Sequence, residues 1–375
     1  MPTRPSEAST SKLKRPGGSE RKAKLAPVLG RDACDWLYDF QHEAVERLLK
    51  RTRGILSLPT GCHRLGQGIL MFDGSVKKVE DVVVGDQLMG PDSTPRNVLQ
   101  LCRGQQQMVE LTSNKGGPWV VNLDHKLVLV RRDRGRRDGE VIEVAAGDWL
   151  DWTDSKKKKW RMFRTAVDFP AGEPLPMDPY VVGVLLGDGC LSSGNACVCS
   201  PDKPVLEAFA AEAAKYDARM RYEHKRGATY AFAVDCPGFR AKLRELGLMG
   251  SKAGTKVIPE AYLRASREDR LALLAGLLDT DGSYHRSNNC FDFISKSRAL
   301  SEAIVSLAFS LGIHASLKEC QKSCQTGFTG TYWRVGLSGD LNLIPTRVER
   351  KQATPRKRKA SVLEFLFQQQ ICHPT

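Results

Sequence analysis

One apolar motif occurs twice in the chain. Leu274-Ala-Gly-Leu-Leu-Asp-Thr-Asp-Gly282 is a leucine-rich run ending in two carboxylates and a glycine. Val181-Val-Gly-Val-Leu-Leu-Gly-Asp-Gly189 is a weaker upstream copy, with Asp188 in the position of Asp281 and Gly189 in that of Gly282. Read as helices, the runs place small residues (Ala275, Gly276, Thr280) among leucines, which lets another backbone approach. Asp281 then lies near a helix C-terminus, where the last carbonyls already carry partial negative charge. A positive group must compensate, and a metal ion is the first candidate. A single run ending in Asp-Gly would read as a buried core helix. Two, each followed by a strand-rich stretch, point to a pseudo-symmetric pair of lobes.

The order of elements repeats as well. Lobe one spans 180–250: a helix near Lys203–Lys215, strands near Arg219–His224 and Thr229–Val234, and a helix near Pro237–Leu246. Lobe two spans 257–345: a strand at Cys290–Ile294, a helix at Arg298–Leu311, and strands near Ala315–Glu319 and Tyr332–Ser338. Pro170–Pro179 reads as a Pro-rich linker before lobe one.

The chain has 375 residues, enough for two or three domains, and its net charge is +14. That excess favours a polyanionic partner, most often nucleic acid. Eleven cysteines, with no signal peptide and no apolar stretch of transmembrane length, point to a reducing intracellular setting. Cys197/Cys199 and Cys320/Cys324 lack the second pair or histidine that a zinc site needs, and Cys197-Val-Cys199 reads as a strand with alternating faces.

Residues 1–27 read as a disordered basic arm. Residues 28–61 open with an amphipathic helix from Leu37 to about Lys50. Gly54-Ile-Leu-Ser-Leu-Pro-Thr-Gly61 follows, a strand and half of a phosphate loop. The lysine that would complete the loop is missing, so ATP binding is not expected. From Cys62 the pattern alternates like strands, with turns at Asp73-Gly74 and Gly85-Asp86. Arg131, Arg132, Arg134, Lys156, Lys157, Lys158 and Arg161 form dense basic runs near Trp149, Trp152 and Trp160, suited either to following phosphates or to an exposed loop.

The doubled motif resembles the LAGLIDADG (dodecapeptide) homing endonucleases. The resemblance implies a pseudo-two-fold αββαββα fold acting as a monomer. Its motif helices would pack side by side, and Asp188 and Asp281 would meet as the catalytic pair that binds divalent metal, most plausibly Mg2+. The first copy departs from the family pattern at Leu186, where the family has an aspartate. Lys256, ahead of Val257-Ile258-Pro259, resembles a family lysine that reaches the active centre; Arg347 and Lys351 are weaker candidates for its counterpart. The implied substrate is a long site on double-stranded DNA, read through the major groove.

The stretch from Cys62 to Gly90, with Val120-Val-Asn-Leu-Asp-His-Lys-Leu-Val-Leu129, resembles the first blocks of inteins and related Hint domains, inserted in the phosphate loop of a superfamily 2 helicase-like host whose start is 28–61. The resemblance implies that Cys62 attacks the Gly61 carbonyl carbon to form a thioester. His125, expected on a strand, would supply the proton transfer, and Asn122 would hydrogen-bond the scissile peptide.

The expected architecture is therefore α+β and multidomain: an incomplete β-rich Hint splicing domain (62–170) followed by the two-lobed endonuclease. The tail 346–375 is basic and lacks the His-Asn block that ends an intein, so at most the first splicing step is expected. The rival readings are a catalytically dead DNA-binding remnant and a helicase-like ATPase fragment.

Overall fold

The computed structural model describes residues 63–355, apart from 113–117, 134, 171, 193, 228 and 324–328, together with the backbone of Cys372–His373. The basic arm 1–27, the host-like stretch 28–61, Cys62 and Arg134 lie outside the described residues.

The architecture is mixed α/β, in two sections. The first is β-rich and built from short antiparallel hairpins. β1 (Gly68–Leu70) pairs β2 (Val76–Lys78), and β3 (Gln87–Met89) pairs β4 (Pro95–Asn97). Beyond β5 (Cys102–Arg103), β6 (Met108–Leu111) pairs β7 (Trp119–Asn122). β8 (Lys126–Arg131) lies between β9 (Val141–Ala145) and β10 (Trp160–Met162). Helices α1 (Ala146–Leu150) and α2 (Asp154–Lys157) are short. The apolar faces close over two small cores. One holds Ile69, Met71, Val79 and Leu88, and the other Leu111, Val121, Leu127 and Leu129.

The second section is two lobes of like topology. In the first, α3 (Pro179–Leu186) leads into β11 (Gly189–Cys190), β12 (Ala196–Ser200), α4 (Lys203–Ala214), β13 (Met220–Arg226), β14 (Thr229–Val234) and α5 (Pro237–Glu245). After the short α6 (Glu260–Leu263), α7 (Arg267–Asp281) leads into β15 (Gly282–His285), β16 (Cys290–Ser295), α8 (Arg298–Ser310), β17 (His314–Ser323) and β18 (Thr329–Ser338). The sheet orders are β11-β12-β14-β13 and β15-β16-β18-β17, which match position for position. β17 and β18 run well beyond the segments expected from sequence, because their outer ends form a long two-stranded arm paired from Lys318–Arg334 to Ser323–Thr329.

Local chemistry sets the helix starts. Asp178 accepts from the Val181 amide, with Pro179 in the first turn of α3, and Ser266 accepts from the Asp269 amide at the start of α7. Both helices are buried on nearly every side, so amphipathic periodicity is weak in them. One continuous core spans both lobes, including Val182, Leu185, Phe209, Leu274, Leu278, Phe291 and Phe293.

The segment before the expected linker is fastened to the second lobe. Arg270, fully buried, donates to the carbonyls of Ala265 and Val167 and to Ser310 Oγ, and its guanidinium lies 4.5 Å from the Phe169 ring centroid. Burial lowers the Arg270 pKa to about 10, so it remains charged at neutral pH. Asp168 N donates to Ser93 Oγ, tying the β-rich section to the same point.

Candidate active site

The two motif helices cross at glycines. A Cβ on Gly183 would lie 2.9 Å from Leu277 N and closer still to Leu273 O, and one on Gly276 would strike Tyr180 O. Gly187 faces Thr280 so closely that a Cβ there would strike Thr280 Oγ1. The backbones therefore touch along the shared seam, and both helices end at the same level.

At that end the chain delivers two carboxylates. Asp281 is the last residue of α7, while Asp188 lies two residues beyond the end of α3. Crowding by protein raises the Asp188 pKa to about 6, with the nearby Asp281 charge as the second cause. Asp281 is also pushed up by the protein packed around it, although solvent still reaches the side chain. Lys256 and Lys351 pull both carboxylates back toward ionisation. Among the described residues neither carboxylate has a hydrogen-bond or ion-pair partner.

The helix ends are compensated by lysines. Lys256 Nζ donates to Leu185 O at 3.0 Å and Gly187 O at 2.6 Å. Lys351 Nζ donates to the carbonyls of Leu278, Asp279 and Thr280 at 3.0, 2.8 and 2.9 Å. Both side chains are buried, which lowers their pKa, while the neighbouring carboxylates raise it. The positive charge expected at the helix C-termini is thus supplied by two ammonium groups. Lys256 is fixed from the other lobe, because Ser297 Oγ donates to its carbonyl at 2.7 Å. The Lys256 ammonium is thus held by two backbone carbonyls beside Asp188 and Asp281. Arg347, the other weak candidate, lies 3.9 Å over the Tyr180 ring centroid.

The donor set suits a hard cation. Two partly desolvated carboxylates that repel each other are relieved by a divalent ion, and oxygen ligands favour Mg2+ or Ca2+ over softer metals. Among the described residues no group of three or more histidine, cysteine or carboxylate side chains is arranged to hold a metal alone. A cation between Asp188 and Asp281 would complete its shell with water and phosphate, as Mg2+ commonly does.

A second constellation lies in the β-rich section. His63 bridges to Val121, and Arg64 N donates to Val120 O. This sets the chain just after Cys62 against the strand that carries Asn122. Asn122 is fully buried and donates from Nδ2 to Gln106 Oε1. His125 falls in the turn between β7 and β8 rather than on a strand, with its amide donating to Asn122 O and its carbonyl accepting from Ala146 N. The turn lets the imidazole fold back beside His63, at 4.9 Å between ring centroids. Burial pushes both histidines down to about 4, and the His63 charge adds to the effect on His125. Nδ1 of His125 and both ring nitrogens of His63 are buried without a hydrogen-bond partner among the described residues. His63 and Gln106 escaped sequence reasoning; the one available signal was that His63 adjoins Cys62.

Two families match the chain. The Hom_end-associated Hint family matches residues 62–167, and the LAGLIDADG-like domain family matches residues 268–350. The chain carries a Hint-like region and a LAGLIDADG-like domain. It is 27% identical over 254 residues to the replicative DNA helicase DnaB of Mycobacterium intracellulare, covering 62% of this chain and 39% of that protein. It is 33% identical over 134 residues to an iron-sulfur cluster assembly SufBD family protein of Mycobacterium leprae, covering 34% of this chain and 15% of that one. It is also 33% identical over 94 residues to the V-type proton ATPase catalytic chain of Candida tropicalis, covering 22% and 9%. The chain thus spans well under half the length of each. Similar solved structures include the homing endonuclease I-DmoI in complex with DNA and Ca, at 13% identity and TM-score 0.31, covering 43% of this chain and 82% of that one. Another is the homing endonuclease I-WcaI bound to its DNA recognition sequence, at 12% and 0.29, covering 42% and 74%.

The basic residues of the Hint-like region do not form one row of free cations. Arg131 is engaged by Asp133 at 2.6 Å and Glu140 at 3.6 Å, and Arg132 by Asp138 at 3.5 Å. Lys157 Nζ donates to Leu150 O and Arg161 to the carbonyls of Lys158 and Trp160. Lys156 lies 3.7 Å over the Trp152 ring centroid. Lys156, Lys158 and Arg161 are the exposed members among the described ones.

Proposed function

We propose that this chain is an intein-type, site-specific DNA endonuclease that makes metal-dependent double-strand breaks. The observation that carries the proposal is the pair Asp188 and Asp281, held at one level by the glycine seam of α3 and α7. Each carboxylate stands at the start of one of two matching sheets. A duplex laid across the two sheets presents two phosphodiesters to two equivalent groups, so each aspartate serves one strand. Mg2+ bound by Asp188 and Asp281 would activate water and stabilise the leaving oxygen. The protein's own residues hold the carboxylates at that position, desolvate them, and compensate the helix ends through Lys256 and Lys351. Lys256 therefore acts as a positioning residue. Lys156, Lys158 and Arg161 are the proposed phosphate contacts of the Hint-like region.

The three curated relatives carry unrelated activities in their names, a helicase, an assembly protein and an ATPase. Each matches only part of this chain and of itself, which supports reading the matched part as an insertion rather than as part of any host activity. The host-like segment 28–61 is proposed as the start of a helicase-like protein. In the Hint-like region, Cys62 would form a thioester with Gly61. Neutral, buried His125 is suited to moving the proton from the thiol to the departing amide nitrogen.

The nuclease test is cutting of a plasmid that carries the uninterrupted phosphate-loop coding sequence, with Mg2+. Wild type is expected to linearise it, with Asp188→Asn and Asp281→Asn inactive. Equal behaviour of all three proteins would reject the proposal, and DNA binding without nicking would identify a binding remnant instead. Thiol-induced cleavage between Gly61 and Cys62, lost in Cys62→Ala, tests the thioester step.

A further inference from the structure

The proposed active site makes no use of sulfur, yet three thiols gather beside it. Cys190 and Cys197 are direct cross-strand partners in the β11–β12 pair. Ala196 and Val198, the flanking residues of β12, are completely buried in the core, so Cys197 and Cys199 face the opposite side of the sheet. There Cys197 and Cys199 are half-buried and Cys190 is exposed, all three reduced. Their neighbours on β14 are Ala233 and Ala231. Cys197 also hydrogen-bonds Cys199.

Directly opposed residues of an antiparallel pair have Cα atoms about 4.5–5.5 Å apart, inside the window of about 4.4–6.8 Å that a disulfide spans. Cys197 and Cys199, two positions apart on one strand, are separated by about 6.6 Å, at the edge of that window. The cross-strand pair is therefore the one built to close. We propose that Cys190 and Cys197 are a dithiol that peroxide closes reversibly to a disulfide, and that closure switches off DNA cleavage by the first lobe. The second half rests on the nuclease reading above. β11 begins at Gly189, immediately after Asp188, so a cross-link at Cys190 fixes the backbone that carries the carboxylate. It also reshapes the sheet face that would lie against DNA.

The exposed Cys190 meets the oxidant first. Its sulfur attacks one peroxide oxygen, giving a sulfenic acid and releasing water. Cys197 sulfur then attacks the sulfenic sulfur, the S–S bond forms and a second water leaves. Two thiols and one hydrogen peroxide thus become one disulfide and two waters. Burial and the neighbouring thiols push the Cys197 thiol up to about 12, so the closing step speeds up with rising pH.

The full chain is treated with hydrogen peroxide at pH 8, its remaining thiols are alkylated, and the digest is fragmented by mass spectrometry. The expected product lacks two hydrogens, carries its bond between Cys190 and Cys197, and reverts with dithiothreitol. It is expected to disappear in Cys190→Ser and to persist in Cys199→Ser and Cys290→Ser. A Cys197–Cys199 bond, or over-oxidation without any bond, overturns the dithiol. Plasmid cutting is measured on the same samples, with at least a tenfold loss on oxidation and recovery on reduction expected. Equal cutting with the bond formed overturns the gate. No cutting in either state, with the bond formed, rejects the nuclease reading and the gate with it, and leaves the dithiol standing.

Discussion

The Tyr180 hydroxyl donates to Asp279 Oδ2 at 2.8 Å, joining the two motif helices beneath the catalytic candidates. The same carboxylate accepts from the amides of Arg347 at 2.6 Å and Val348 at 3.4 Å. A single buried side chain thus ties α3, α7 and the segment after β18 together. Burial raises the Asp279 pKa, and its three donors hold it down. Asp279 is therefore a structural carboxylate, and its counterpart in the first copy is Leu186, fully buried among apolar groups. Asp279→Leu leaves one hydroxyl and two amides without an acceptor. A loss of about 2–4 kcal/mol is expected in urea unfolding, whereas Leu186→Met is expected to cost under about 1.5 kcal/mol.

Gly183→Ala tests the helix seam. Its methyl group must enter the space of Leu273 O and Leu277 N, which are backbone atoms that cannot swing aside. The helices must separate, and the two carboxylates with them. Cutting is expected to fall more than a hundredfold, together with a lowered Tm. Unchanged plasmid cutting by a folded Gly183→Ala protein would show that the carboxylate spacing is not set by this seam.

The raised Asp188 pKa has a stability cost with a defined sign. In the folded chain this carboxyl holds its proton up to about pH 6, against 3.8 for the ordinary group. Between those values the folded state binds more protons than the unfolded one, so stability falls as pH rises through the window and stays lower above it. Asp188→Asn is expected to be more stable than wild type at pH 8 by about 1–2 kcal/mol, allowing for partial solvent screening, and equal to it at pH 4. Cutting by wild type is expected to rise as pH passes about 6, because the ionised form binds the cation. Mg2+ should stabilise wild type at pH 8 and leave Asp188→Asn nearly unaffected.

Lys351→Met removes the donor for three carbonyls and a positive charge beside both aspartates. Expected results are a loss of about 2–3 kcal/mol and a cutting profile displaced to higher pH. The displacement separates electrostatic positioning from a simple loss of packing, which would lower activity without moving the profile.

The histidine pair of the Hint-like region predicts the opposite pH response. His63 and His125 titrate near 4 when folded, against 6.5 ordinarily. Between those values the unfolded state binds more protons, so stability is lost as pH falls from about 6.5 toward 4. His63→Phe is expected to flatten that slope, read as the thermal midpoint of the Hint-like region across the range.

The sequence alone determined the duplicated motif, most of the order of elements in both lobes and the positions of Asp188 and Asp281, but not the strand Gly282–His285 or the short helix Glu260–Leu263. These depend on short-range pattern: small residues in apolar runs, Asp-Gly ends and alternating strands are local properties of the chain. The small residues also predicted close helix approach, because only a missing Cβ permits it. Tertiary structure decided the rest. The resemblance names Lys256 and Lys351 as candidates at the active centre, but a lysine far along the chain shows no local sign that its ammonium will cap a particular helix, so only the fold shows their contacts with the ends of α3 and α7. The pairing of Asp279 with Tyr180 was hidden for the same reason. The resemblance to the intein blocks puts His125 on a strand, yet a turn carries it back against His63. The basic runs leave phosphate contact and an exposed loop equally open in the sequence, and folding brings Asp133, Asp138, Glu140 and several carbonyls within reach of the same cations. In each case the partner lies outside the local pattern, and burial rather than sequence position decides which charges remain free to act.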